Sequence, residues 1–417
     1  LIILMKLKRY SFDSLSAIKH RVYGFANTFE WAQVLDSNSS NAALRIQRFE
    51  LLAGIGLKQL FKGDYHQQLS QIEQSSNWLF FTLPYTLYEK SDAPIIFEPQ
   101  IVCSVLKGAD ALELINNGLT DAEFDAFIQQ WEAFDPSPIN PHLPKLCFTA
   151  NTSEQTYLNT VKAIQNDIYN GAYYELNYCI GFESTIHDWR SLDYFTQFNQ
   201  TTRSPFAAWL KTPMLDILCS SPERFLKLDG NELLAQPIKG TNRKLTDNHI
   251  QITALLNSEK DRAENVMIVD LMRNDLTKVS AYGSIQVKEL CGAYAYTTVN
   301  HLVSSIIAHK REGVSFSDLM QACFPMGSMT GAPKLEVMKH IKTYEAAPRG
   351  YYSGSMGYRT PEGAFDANVL IRSLIYKPEN SRLSYHVGGA IVLDSQAELE
   401  YQECLLKGER MAKLFSA

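Results

Sequence analysis

The spacing of apolar positions changes repeatedly along the chain, and each change marks an element. Residues 78–83 (WLFFTL) form an unbroken apolar and β-branched run, the pattern of a short buried strand. Residues 120–134 (TDAEFDAFIQQWEAF) bring apolar side chains back at helical spacing behind an acidic first turn, which predicts an amphipathic helix. The same period predicts a helix over 152–170, with Thr152 as its cap and Gly171 as its stop. Short strands are predicted at 173–182, 206–210, 214–220, 225–228 and 232–238, with turn residues between them. Others follow near 285–290, 296–299, 351–358, 367–376 and 382–393. Helices are predicted over 258–275 and 317–322, from Pro333, and from about 395 to the end. The first 150 residues read as strand-and-turn rich, with 25–35 leading into a turn cluster at 36–40. Strands arrive as meanders and helices in groups. That order predicts an α+β fold with large, mainly antiparallel sheets and not a doubly wound parallel one. Residues 135–144 carry four prolines and form the best linker candidate. They divide a strand-rich region, 1–140, interleaved with the core, from a region at 150–417 that holds the candidate chemistry.

The 258–275 helix opens with Ser258 and Asp261, a capping-box pattern, and Val266, Ile268, Val269, Leu271, Met272 and Leu276 form a broad apolar face. Asp261 and Glu264 stand three apart, so their carboxylates leave nearly the same side. The last helix repeats the arrangement, with Ser395 and Glu398 as a cap and Glu400 and Glu403 three apart; Lys407 can pair with Glu403. Two readings stand for these pairs: solvated acidic faces, or two halves of a site for Mg²⁺, which prefers hard oxygen ligands and keeps several waters. In the second, Glu264 and Glu403 are direct ligands, with Glu400 acting through water and Asp261 behind them.

Four other stretches are candidates. Residues 325–333 (PMGSMTGAP) are small and hydroxylic, with Ser328 and Thr330, and end on Pro333 as the first residue of a helix; this is a tight turn or an anion site, and not a P-loop. Lys239, in a PIKGT run after a strand, is a surface Lys or a desolvated nucleophile that loses its proton easily. Glu223 in SPERF is a rim carboxylate or an acid facing Lys239. Arg372, inside an apolar strand, needs an anionic partner, from a ligand or from the protein. Gly388 and Gly389 interrupt a strand, at a bulge or at a close backbone approach to a ligand. A lone His301 is usually a core residue.

Composition adds limits. The 417 residues are 45% hydrophobic and 20% charged, an ordinary globular balance. A net charge of −6 gives no electrostatic footprint for nucleic acid or an anionic membrane. Seven scattered cysteines without a CxxC pair fit reduced thiols, mostly as core residues. The apolar start, Leu1 to Met5, is too short for a signal or a span and reads as a first strand or a start-site artefact. No apolar run reaches membrane length, so the expectation is a soluble, cytoplasmic protein.

Taken together, SPERF (221–225), PIKGT (237–241), SEKDRAENVMIVDLMRND (258–275), GSMTGAPK (327–334), IRSL (371–374) and GGAIVLDSQAELEYQE (388–403) resemble the chorismate-binding enzymes: anthranilate synthase component I, aminodeoxychorismate synthase component I, isochorismate synthases and salicylate synthases. The resemblance covers about 150–417 strongly and the first region weakly, where Leu35-Asp-Ser37 resembles an element lining a tryptophan pocket. It implies the anthranilate-synthase-component-I-like fold, Mg²⁺ on Glu264 and Glu403, and chorismate as substrate. Lys239 is similar to the covalent nucleophile of the aminodeoxychorismate branch, where anthranilate-type relatives carry Ala. The resemblance thus implies attack of Lys239 at C2, protonation of the departing 4-hydroxyl by Glu223, and ammonia addition at C4. Arg372, Gly388, Gly389, Ser328, Thr330, His301 and Tyr358 would bind the substrate. Glu175 stands where relatives have Gln or Lys. Met326 replaces a small residue of relatives. No glutamine amidotransferase or lyase motif is read in the chain, so ammonia would come from solution or a separate glutamine amidotransferase subunit. The alternatives are anthranilate synthase component I and a non-catalytic chorismate-binding subunit.

Overall fold

A computed structural model describes residues 6–38, 47–87, 92–138 and 143–413. Among them, twenty strands join one hydrogen-bonded network flanked by ten α-helices. Neighbouring strands run antiparallel, as along Glu175–Thr185 with Arg382–Ile391 and Gln286–Ala295 with Val299–His309. This is the α+β architecture expected from the order of elements. Early and late strands share the network. Ala32–Asp36 lies between Phe49–Leu60 and Phe206–Lys211, and Leu79–Leu83 pairs with Ser355–Arg359. A strand paired on both sides needs both partners to satisfy its backbone. Residues 1–5, 39–40 of the turn cluster and 139–142 of the Pro-rich stretch lie outside the described residues.

Alternation along the strands builds two large cores among the described residues, beside a small cluster of Leu255, Cys291 and Leu302. In Phe206–Lys211, Ala208 and Leu210 enter one core and Trp209 the other; in Asp216–Ser221, Ile217 and Cys219 oppose Leu218. The first core takes Ile268, Met272 and Leu276 of the helix Glu259–Thr277. The second takes Tyr157 of Glu154–Tyr169 and Tyr401 of Ala397–Lys413. Six of the seven cysteines are buried and none is bridged.

Several local expectations change. The region read as strand-and-turn rich holds the helix Leu15–Asn27, capped by Ser14, and the next strand begins at Ala32. Its Val22, Phe25 and Ala26 are buried, but Gly24 and a β-branched and aromatic content obscure the helical period. Tyr65–Gln74, Ser191–Thr202 and Asn248–Leu256 are likewise helices that the pattern did not predict. Ser153, not Thr152, caps Glu154–Tyr169. Ser258 caps its helix alone, and Val266 is 45% exposed, outside the apolar face. The last helix begins at Ala397; Ser395 donates to Glu400 (2.9 Å) and does not form a box with Glu398. Pro333 precedes the helix Lys334–Tyr344 as its cap.

The strand expected over 367–376 is two strands, Phe365–Asn368 and Ser373–Lys377, with Arg372 between them at φ 50 and only half-buried. Conversely, Gly388 and Gly389 interrupt nothing: Arg382–Ile391 runs through them in unbroken register. A Cβ on Gly388 would lie 2.4 Å from Cys179 Sγ and 2.5 Å from the Tyr178 carbonyl oxygen. The close approach is to the neighbouring strand.

Candidate active site

Lys239 enters the site through a bulge. Ile238–Arg243 pairs with Val299–His309, but three steps from Ile238 to Thr241 oppose two from Val303 to His301. The extra residue re-aims the side chains beside it. Gly240 takes φ +90 there, and a Cβ on it would sit 2.9 Å from Asp261 Cβ, so glycine lets the start of Glu259–Thr277 pack onto the bulge. Lys239 is thereby turned inward, its side chain 11% exposed, with Nζ 3.2 Å from Glu175 Oε1. Glu175 opens the strand Glu175–Thr185 and is fully buried; its Oε2 has no hydrogen-bond partner among the described residues. Burial pushes the Lys239 ammonium down, but Glu175, Glu264 and Glu223 outweigh it and hold the group above its ordinary 10.5. The easily deprotonated lysine expected from desolvation is therefore a paired lysine that keeps its proton.

Glu223 lies between the strands Asp216–Ser221 and Arg224–Asp229 and is almost wholly buried. Its Oε1 accepts the Ile238 N–H (3.2 Å) and the Ser328 hydroxyl (2.9 Å). Burial drives the carboxyl up to about 7, against the opposing pull of Ser328, the Ile238 N–H, Lys239 and Arg372. A carboxyl poised there can give or take a proton at neutral pH. Ser328 sits in the turn Gly327–Met329. Thr330 points elsewhere, its hydroxyl donating to the Gly327 carbonyl (3.1 Å). The loop is braced by Lys334, buried on Asp275 and donating to the carbonyls of Cys323 (3.0 Å) and Pro325 (2.7 Å). Met326 is buried in the first core.

His301, buried on Val299–His309, lies 2.7 Å through Nδ1 from Thr241 Oγ1 and 3.5 Å through Nε2 from an Arg372 nitrogen. Arg372 reaches the same space, since its charge acts on Glu223. Tyr358 is not brought here. Its ring packs 5.4 Å from Phe49, on a separate cavity of about 50 Å³ lined also by Leu35, Ser37 and Asp366.

The two acidic helix faces do meet. Lys260, beside Asp261, places Nζ 3.8 Å from Glu400 Oε1, and Glu403 Oε1 lies 2.8 Å from Lys407 Nζ. Glu264 and Glu403 both feel the charges of Lys260 and Lys239. Burial raises Glu264, with Glu175 and Asp261 adding to it, whereas Lys407 lowers Glu403. Among the described residues no three or more His, Cys, Asp or Glu converge as a metal cage. The donor set fits an ion held by two carboxylates, water and substrate, the usual habit of Mg²⁺. Gly389 lies against Glu400, 3.6 Å from the position of an added Cβ.

The pairing of Lys239 with Glu175 and the Lys334 brace escaped the sequence reading. A Lys directly after the small-residue GSMTGAP run was the available signal for the second. The first has none, because its partner lies on another strand.

Fold and site together define an enzyme-like centre in an antiparallel α+β scaffold: a buried lysine, a near-neutral carboxyl and a carboxylate cluster. The family model for chorismate binding enzymes matches residues 29–413, and the chain belongs to that family. It is 40% identical over 269 residues to aminodeoxychorismate synthase component 1 of Escherichia coli (strain K12), covering 63% of this chain and 58% of that protein. It is 31% identical over 344 residues to the anthranilate synthase component I-like protein of Synechocystis, covering 80% and 69%. The chain thus spans less than two thirds of the E. coli relative. Among solved structures it resembles the menaquinone-specific isochorismate synthase of E. coli (TM-score 0.79, 15% identity, 99% and 94% covered) and anthranilate synthase component I of Streptococcus pneumoniae TIGR4 (TM-score 0.76, 21% identity, 99% and 93% covered), likenesses of fold. No described helix is long and apolar enough to cross a membrane.

Proposed function

We propose that this protein aminates chorismate at C4 with ammonia, giving 4-amino-4-deoxychorismate, the precursor on the para-aminobenzoate and folate branch. The observation that carries the reading is Lys239 itself: a buried amine among three carboxylates, with Glu223 facing the same strand end through the Ile238 N–H. The 40% identity to a named aminodeoxychorismate synthase component supports it. In this reading Lys239 Nζ attacks C2 of the ring while the C4–O bond breaks, and Glu223 gives its proton to the leaving hydroxyl, forming water. Ammonia then adds at C4, the C2–N bond breaks back to Lys239, and Glu223 recovers a proton from the new amine. Arg372 and His301 hold a substrate carboxylate or the enolpyruvyl group. Glu264 and Glu403 would hold Mg²⁺, with Glu400 and Asp261 behind them; the ion would supply positive charge for a substrate carboxylate. The ammonia source is a separate glutamine amidotransferase subunit or free ammonium, and the setting is the cytoplasm.

The test is product identity. Chorismate, Mg²⁺ and ammonium are incubated with the protein, followed by a separate aminodeoxychorismate lyase, and para-aminobenzoate is the expected product. Anthranilate fluorescence in its place would refute the proposal. The relation to the anthranilate synthase component I-like protein favours that activity as second reading. Lys239→Ala separates the two: the covalent route loses activity by roughly 10³-fold or more, whereas an anthranilate route keeps it. Turnover of either kind excludes a non-catalytic chorismate-binding subunit.

A further inference from the structure

We propose that Glu175 is the proton acceptor that converts Lys239 from ammonium to nucleophilic amine; the inference rests on the covalent reading of Lys239 given above. An amine attacks carbon only through a free lone pair, so the proton on Nζ must leave first. Three carboxylates surround that nitrogen, and their geometry separates their tasks. Glu175 Oε1 is the one hydrogen-bonded to Nζ, at 3.2 Å, among the described residues. Glu223 has its Oε1 occupied by the Ile238 N–H and the Ser328 hydroxyl and acts on Lys239 through charge, with no hydrogen bond to Nζ among the described residues. Glu264 acts on Lys239 through charge alone and belongs to the carboxylate pair that fits a metal.

The surroundings of Glu175 suit a group that changes protonation in each cycle. The residue is fully buried, and its Oε2 has no hydrogen-bond partner among the described residues. A buried carboxylate meant only to anchor a structural ion pair would have its second oxygen satisfied. Here, among the described residues, the carboxylate has one donor, Lys239, and spare acceptor capacity. Its backbone is fixed by pairing of Glu175 with Ala332 in the Ser328 loop's following strand, and of Leu176 with Ile391 on the other side. The side chain is therefore presented by two neighbouring strands to a single nitrogen.

The step balances. The N–H bond of Lys239 breaks as an O–H bond forms on Glu175, leaving a neutral amine and a neutral acid. The amine lone pair forms the bond to C2, and the electrons of the C4–O bond leave with the hydroxyl, which takes the Glu223 proton. After ammonia displaces Lys239 as a neutral amine, Glu175 returns its proton to Nζ. No oxidant or further reactant is needed.

Withholding ammonia isolates the step. Full-length protein is mixed with chorismate and Mg²⁺ in ammonia-free buffer and quenched at intervals. Intact mass and peptide mapping then follow the Lys239 adduct, chorismate less one water. The wild type is expected to build the adduct in a single-turnover burst. Glu175→Gln, nearly the same shape, is expected to slow the burst by roughly 10²-fold while chorismate affinity by calorimetry stays unchanged, and Glu175→Asp to recover part of the rate. A Glu175→Gln burst at the wild-type rate would overturn the proposal. So would equal loss of burst, affinity and melting temperature in both variants, which marks a structural role. A wild type that forms para-aminobenzoate without ever showing the adduct would instead remove the covalent reading, and the inference with it.

Discussion

Replacing Glu223 with Gln should make the protein more stable at alkaline pH, although it removes the group assigned to acid catalysis. Burial raises the Glu223 carboxyl from its ordinary 4.5 to about 7, because the charged form is taken out of water and only partly repaid by Ser328, the Ile238 N–H, Lys239 and Arg372. The folded state therefore binds this proton more tightly than the unfolded state does. Its stabilising contribution is complete below pH 4.5, falls as pH rises from there through 7, and is lost above. The rise corresponds to roughly 3 kcal/mol. Glu223→Gln has no such proton, so the difference in unfolding free energy between variant and wild type should move by about 3 kcal/mol in the variant's favour between pH 4.5 and 8. Urea denaturation at half-unit pH intervals measures it. A control is Ser328→Ala, which deletes a donor to the carboxylate and should push the transition to higher pH. In activity, wild-type turnover should fall above about pH 7 as the acid form disappears, and Glu223→Gln should be slow at every pH. A stability difference flat across this window would refute the claim that burial governs Glu223.

The brace beneath the Ser328 loop gives a second expectation: Lys334→Met leaves Asp275 buried without its closest cation and should cost about 3 kcal/mol in urea denaturation, with Asp275→Asn in the same chain recovering part of it. A change within about 0.5 kcal/mol would mean that Lys278, 3.0 Å from Asp275 on its exposed side, suffices alone. Glu264→Gln and Glu403→Gln should each weaken Mg²⁺ binding, followed by calorimetry with chorismate present, by about tenfold or more, and Glu400→Gln by less. Equal Mg²⁺ affinity in all three variants would place the ion elsewhere.

What could be read from the sequence and what could not divides along a physical line. The helix Glu259–Thr277 was visible because its cap and apolar residues lie within one segment, and the antiparallel class because short strands follow one another through turns. Lys239, Glu223, Glu264 and Glu403 stood out as residue types in small motifs, each a local signal. Their partners are not local. Glu175 meets Lys239 across 64 positions, through a strand whose register against Gly331–Ala332 and Arg382–Ile391 no single segment encodes. Gly388 read as a break in its own strand because the Cys179 strand that requires it is more than two hundred residues earlier. Lys239 shows the consequence for chemistry. Taken with its neighbours in sequence, it is a desolvated amine that sheds its proton; taken with its neighbours in space, it is an ammonium held by carboxylates. The motif singles out Lys239, but the fold pairs it with carboxylates, so the covalent route proposed for it requires a base that the motif does not contain.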